Sequence, residues 1–222
     1  ARLEPLVVDG NTILDLGSAT GATGRLMRKR FRRAHVVALD ISHAMLVQAR
    51  NSKSWFARSS FVQANAGRMP FADACFDIIV ANQVLPWIPE PQPLFAEVAR
   101  VLRKGGLFTF ATLGPDSLRE IHGPGSSARR FDDMHDVGDG LVRAGLSDPV
   151  LDVDRLTLRY ENPHKLVDDL AALGVRDLPT NATSTPGLSL EFELVYGHCW
   201  GNGPRPDPGN VSIDANRIPL RR

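Results

Sequence analysis

The sequence predicts an α/β fold: a doubly wound sheet of seven strands, mostly parallel, with an antiparallel last strand. Three observations carry this expectation. Short apolar runs alternate with helix-like segments through the first half, as in a parallel sheet covered on both faces. The first run ends in a glycine cluster that leads into a helix. The two late strand-like segments alternate strictly between apolar and polar residues, the pattern of an antiparallel edge with one buried face.

Strand one is Thr12 to Leu16, and a helix follows over Thr23 to Arg33, with Met27 and Phe31 one turn apart. Strand two is His35 to Asp40. Ser42 is placed to cap a helix running to Arg50. Strand three is Ser60 to Ala64 and strand four Phe76 to Ala81. A proline-started helix over Pro91 to Leu102 is expected to stop at Lys104-Gly105-Gly106, before strand five at Leu107 to Thr112. Residues 115–130 are rich in glycine, proline and serine and read as a mobile loop. Asp133 to Ala144 is a helix, Val150 to Tyr160 a strand, His164 to Leu173 a helix, and 174–188 a loop. Leu190 to Tyr196 is the last strand. One domain over 1–222 is expected: a ligand-binding half at 1–113, a substrate half at 114–200 and an irregular tail at 201–222.

The 222 residues suffice for one full-sized core. Twenty-six basic and 25 acidic residues leave a formal charge of +1, which argues against a nucleic-acid coat. Cys75 and Cys199 match neither a disulfide framework nor a zinc spacing, so a cytoplasmic setting is expected, with no membrane span. The six histidines show no His-x-x-x-His pair, and no metal site is expected.

The chemistry concentrates in Asp15-Leu16-Gly17-Ser18-Ala19-Thr20-Gly21 and in Asp40. Glycines at a strand-to-helix turn let a ligand approach the backbone closely, next to free helix N–H groups. A carboxylate at Asp15 would oppose a pyrophosphate but suits a ligand carrying an ammonium and a sulfonium. Asp40 ends strand two, where an acid can grip a ribose diol.

This set resembles the class I S-adenosylmethionine-dependent methyltransferases, whose Rossmann-like sheet opens on acid-x-Gly-x-Gly-x-Gly; Ala19 replaces the middle glycine. The resemblance implies cofactor contacts from Asp15, Gly17, Ala19, Gly21 and Asp40, with Ile41 and Met45 beside the adenine. It extends to Asn65 and Ala66 in Asn65-Ala66-Gly67-Arg68-Met69-Pro70-Phe71, where relatives usually carry Asp-Ala. It also reaches Asn82 and Leu85 in Asn82-Gln83-Val84-Leu85-Pro86-Trp87. Thr112 to Glu120, Asp133 to Gly145, Leu156-Thr157-Leu158 and Val195 to Trp200 are similar to stretches of the biotin-pathway malonyl-acyl-carrier-protein O-methyltransferases.

That subfamily resemblance implies S-adenosylmethionine as cofactor, S-adenosylhomocysteine as product, and a malonyl group on acyl carrier protein as acceptor. Relatives carry a helix before strand one and a helical stretch before the last strand, for which this chain has little length. Alternatives in the same resemblance are another small carboxylate, or an assembly factor of complex I type acting on a protein partner.

A carboxylate acceptor is ionised at neutral pH and needs no general base. It does want donors to position it. Arg119, Arg129, Arg130 and His135 are the candidates, with Trp87 and Tyr196 as candidate pocket walls. His198 beside Cys199 is discounted as a nucleophile pair, because neighbours on a strand face opposite ways. Arg25, Arg28, Lys29, Arg30, Arg32 and Arg33 crowd one helix, a possible docking face for an acidic carrier.

Overall fold

The computed structural model describes residues 10–52, 58–122, 131–172 and 188–202. Seven strands run β1 (Thr12–Leu16), β2 (His35–Asp40), β3 (Ser59–Gln63), β4 (Phe76–Asn82), β5 (Leu102–Leu113), β6 (Leu146–Tyr160) and β7 (Leu188–Gly201). They form one sheet in the order β3-β2-β1-β4-β5-β7-β6. Neighbours from β3 to β5 pair in parallel; β7 is antiparallel to both β5 and β6. The helices are α1 (Ala22–Arg30), α2 (His43–Asn51), α3 (Gln92–Val101), α4 (Arg119–His122), α5 (Met134–Ala144) and α6 (Pro163–Ala172), with a 3₁₀ turn at Leu85–Trp87.

The two late alternating strands form the antiparallel end of the sheet, as expected. β7 sits between β5 and β6, and β6 forms the edge. The alternation of β7 marks one buried face and carries no information on which strand lies beyond it. β7 also runs five residues past Tyr196, to Gly201.

A correction concerns Lys104-Gly105-Gly106. The helix ends at Val101 and β5 begins at once with Leu102. Phe76 pairs with Leu102 and Ile78 with Leu107, so residues 103–106 bulge out of the strand rather than ending the helix. Arg103, on the bulge, pairs with Asp77, whose Oδ2 also accepts from the amides of Asn11 and Thr12 at 2.9 Å each. Burial opposes ionisation of Asp77, but these bonds outweigh it and hold its carboxyl below the usual range. The group ties β1, β4 and β5 together at their amino ends.

The strand faces sort the core. Ile13 on β1 joins Met27, Val36, Ile78 and Val80 under α1. Leu14 and Leu16 face the other way, into the larger cluster with Phe95, Val98, Phe108, Phe110, Val137 and Leu141 under α3 and α5. Gly140 lets α5 close on α3: a Cβ there would lie 2.9 Å from the Phe95 ring. A third cluster joins Leu118, Tyr160, Leu166, Leu170, Leu190 and Phe192. Ser42 caps α2, its side chain accepting from Met45 N, as expected. Asp133 caps α5 in the same way, accepting from His135 N at 2.8 Å. Within the predicted 115–130 loop the structure places the short helix α4. Residues 123–130, 174–187 and 203–222, which carry the other expected loops and most of the tail, lie outside the described residues, as do residues 1–9 ahead of β1.

Candidate active site

The strand order reverses between β1 and β4, and in open α/β sheets ligands bind outside the carboxyl ends of the strands at such a point. Asp15 lies there on the face toward α1, 1% exposed, and its Oδ2 accepts from Gly24 N at 2.7 Å. Burial raises its carboxyl to about 7. The Gly24 amide works against that rise, Asp40 adds to it and Arg25 opposes it. A carboxyl held at that value is ready to ionise beside an arriving cation.

The turn after β1 doubles back tightly. Gly17 has φ +65°, and a Cβ there would meet Val84 Cγ2 at 2.5 Å. Ala19, where relatives carry glycine, also has positive φ, at 45°. The strained alanine is held by its N–H, which donates to Asp40 Oδ2 at 2.8 Å. Asp40 Oδ1 accepts from Ser42 N at 2.8 Å. Each oxygen keeps a further lone pair for a diol. Gly21 caps α1 in the left-handed conformation. Ser18 Oγ is buried with no hydrogen-bond partner among the described residues.

Beside this turn, Ile41 and Met45 are large apolar side chains left 68% and 41% exposed at the end of β2. The loop after β3 holds Asn65 and Ala66. Asn65 Oδ1 accepts from Gly67 N at 2.8 Å, so its oxygen shapes its own turn as well as being available to a ligand. Arg100 pins this loop, donating to the carbonyls of Phe71 and Met69 and to Glu97, while Glu97 accepts from Met69 N. Asn82 ends β4 exposed, and Leu85 is buried in the 3₁₀ turn. The cofactor-side residues predicted from sequence thus gather along one end of β1 to β4.

Of the described acceptor-side candidates, Trp87 alone lines a cavity. A cavity of about 260 Å³ opens between the 3₁₀ turn, the end of β5 and α5, lined by Leu85, Pro86, Trp87, Ile88, Pro89, Thr112, Leu113, Phe131, Asp132 and Val137. Trp87 is in this wall as expected. Tyr196, which pairs with Ala111, is not among the residues that line it. Arg119 pairs with Asp116, whose other oxygen takes Arg155. His135 Nδ1 lies 2.6 Å from Asp133 Oδ1, with 79% of its side chain exposed. Neither residue lines the cavity. Arg129 and Arg130 lie outside the described residues. Cys199 faces the core beside Phe108 with its thiol pushed up to about 12 by burial, and His198 faces the other way, beside Trp200.

Sequence reasoning passed over Thr112, Phe131 and Asp132. The signal for Thr112 was present: Phe108, Phe110 and Thr112 share one face of β5, and the third breaks an apolar series. Among the described residues no three His, Cys, Asp or Glu side chains group to hold a metal, and no helix is long and apolar enough to cross a membrane.

A family model described as a methyltransferase domain matches residues 14–110. A malonyl-[acyl-carrier protein] O-methyltransferase of Halorhodospira halophila is 36% identical over 253 residues, covering 100% of this chain and 86% of the relative. The chain belongs to this methyltransferase family. The protein of that name from Legionella pneumophila is 33% identical, over 92% of this chain and 81% of its own. Among solved structures, a Bacillus halodurans protein assigned to the methyltransferases superposes with a TM-score of 0.67 at 19% identity, over 90% of this chain and 95% of that one, and so shares the fold.

As a member of this family the protein is a methyltransferase that uses S-adenosylmethionine. The residues fit that cofactor: a buried carboxyl titrating near neutrality, an unpartnered buried hydroxyl in the glycine-rich turn, and exposed apolar side chains beside a ribose-type acid.

Arg25 of α1 donates to Thr20 O beside the glycine turn, but the cations at the end of the helix sit elsewhere. Arg28 Nη1 donates to Ala34 O, and Arg58 to Arg33 O, beside the start of β2. The six residues of β2, about 20 Å of strand, separate this cluster from the cofactor end.

Proposed function

We propose that this protein methylates the free carboxylate of a malonyl thioester on acyl carrier protein, an early step toward biotin. The observation that carries this reading is identity above 30% to relatives of that name over most of both chains. The cavity is compatible with it: an ionised carboxylate acceptor needs no general base, and the one titratable group among the described lining residues is Asp132.

S-adenosylmethionine supplies an electrophilic methyl group on a sulfonium. Asp15 would hold the ammonium end of that ligand and Asp40 its ribose, while Ile41 and Met45 would lie against the adenine with Asn65 and Ala66 nearby. The backbone of Gly17, Ala19 and Gly21 would form the floor, and Asn82 and Leu85 would bound the side toward the acceptor. Trp87 and Phe131 give the cavity aromatic walls, and an acceptor oxygen seated between them would be less hydrated and more nucleophilic. The chain's contribution is alignment and dryness rather than proton transfer.

A carrier docked on the basic part of α1 would stand a strand's length from the cavity mouth, so the docking surface is sought around Trp87 and α5 rather than on 28–33. The test is incubation with methyl-labelled cofactor and either malonyl carrier protein or malonyl-coenzyme A. Methyl ester on the malonyl carrier, lost on alkaline hydrolysis, is expected. Its absence, with cofactor still bound, overturns the reading.

A further inference from the structure

We propose that Thr112 binds the acceptor: its hydroxyl donates a hydrogen bond to one oxygen of the acceptor carboxylate and leaves the other free to attack. This rests on the carboxylate reading given above. Thr112 closes the apolar series of Phe108 and Phe110 on β5, at the strand's carboxyl end, where the cavity begins. It is 3% exposed and carries the one hydroxyl among the described lining residues. Valine would fill the same space but offer the cavity no donor. A ligand in the cavity that accepts from this hydroxyl is the partner its place offers.

The rest of the lining narrows what the ligand is. Among the described lining residues there is no Lys, Arg or His, and the one charged group is Asp132 on the rim. Among these residues the donor available to an acceptor anion is a neutral one. That suits a nucleophile: a full cation would hold the oxygen's charge and dull its attack, whereas one hydroxyl orients the carboxylate and takes only one of its lone pairs. The new O–C bond forms from the free oxygen as the methyl–sulfur bond breaks, with that bond's electrons staying on sulfur, so no proton moves. The carboxylate at Asp132 disfavours a second negative charge at the mouth, and thereby selects an acceptor whose other end is neutral, as a thioester is.

The full chain is compared as wild type, Thr112→Val and Thr112→Ser, using malonyl carrier protein as acceptor. Valine is expected to lower kcat/KM roughly ten- to hundredfold, the range for a hydrogen bond to a charged group. Serine is expected to recover most of the loss. Cofactor affinity by calorimetry and the melting temperature are expected to stay at wild-type values in both variants. Unchanged kcat/KM in the valine variant overturns the proposal. So does a serine variant as impaired as valine, which marks the methyl group's packing as the important part, or a fall in cofactor affinity that matches the lost activity. A wild-type protein that binds cofactor but esterifies no malonyl carrier overturns the function first, and this assignment with it.

Discussion

Asp15→Asn is expected to stabilise the ligand-free protein above neutral pH and to weaken its hold on S-adenosylmethionine. Burial raises the Asp15 carboxyl from 3.8 to about 7. A raised acid keeps its proton in the fold at a pH where the open chain has lost it. Its contribution to stability is therefore full below 3.8, falls as the pH rises to about 7, and is then constant. Three units at roughly 1.4 kcal/mol each make the ionised carboxylate cost about 4 kcal/mol in the ligand-free state. Asparagine keeps an oxygen for the Gly24 amide, bonded at 2.7 Å in the wild type, and carries no such cost. A gain of roughly 1–3 kcal/mol is expected near pH 8, where relaxation around the ionised wild-type group offsets part of the difference, and less near pH 5.

The ligand reverses the sign. Its ammonium ionises Asp15, so wild-type affinity should rise up to about tenfold per unit below pH 7 and level off above. The variant should bind roughly ten- to hundredfold more weakly above pH 7, with no such rise. Thermal unfolding without ligand and calorimetry with it, each at about pH 6, 7 and 8, read both effects. A variant that keeps the wild-type affinity and its pH slope refutes the assignment, as does one destabilised equally across that range.

Three further outcomes are expected. Asp40→Ala loses the ribose contact and two backbone bonds of 2.8 Å, to Ala19 and Ser42; calorimetry should show cofactor affinity down by roughly a hundredfold, with a modest drop in melting temperature. Gly17→Ala puts a Cβ at 2.5 Å from Val84 at positive φ, costing about 1–3 kcal/mol in denaturant unfolding. Adding Val84→Ala should return the steric part and leave the φ strain. Arg100→Met strips the carbonyls of Met69 and Phe71 and the carboxylate of Glu97 of their donor. The loop after β3 should then lose amide-exchange protection at Met69, with global stability down by about 1–3 kcal/mol.

The cofactor half was legible because its signals are local. A glycine turn, an acid at each of two strand ends and a cap at Ser42 each act within a few residues of themselves, and the structure leaves them where the sequence put them. The acceptor side is written in pairings across long separations. Which face Tyr196 shows depends on its register with Ala111, 85 residues earlier, and the place of β7 between β5 and β6 depends on partners that alternation does not encode. Lys104-Gly105-Gly106 looked like a helix stop because a glycine pair serves equally at a cap and at a bulge; only Asp77, waiting on β4 for Arg103, decides between them.

Charge is hard to read from sequence for a related reason. The arginines of α1 and of the 115–130 loop are conspicuous in sequence, and a search for an anion's partner settles on them. Arg119 is already held by Asp116, and the α1 cations near Ala34 stand at the wrong end of the sheet. A buried site for a nucleophilic carboxylate has reason to avoid such residues, since a full cation stabilises the ground state of the attacking oxygen as well as holding it in place. The informative polar residue is then a quiet one. Thr112 stands in an apolar series, and it becomes visible only once the fold shows that the series ends at a cavity.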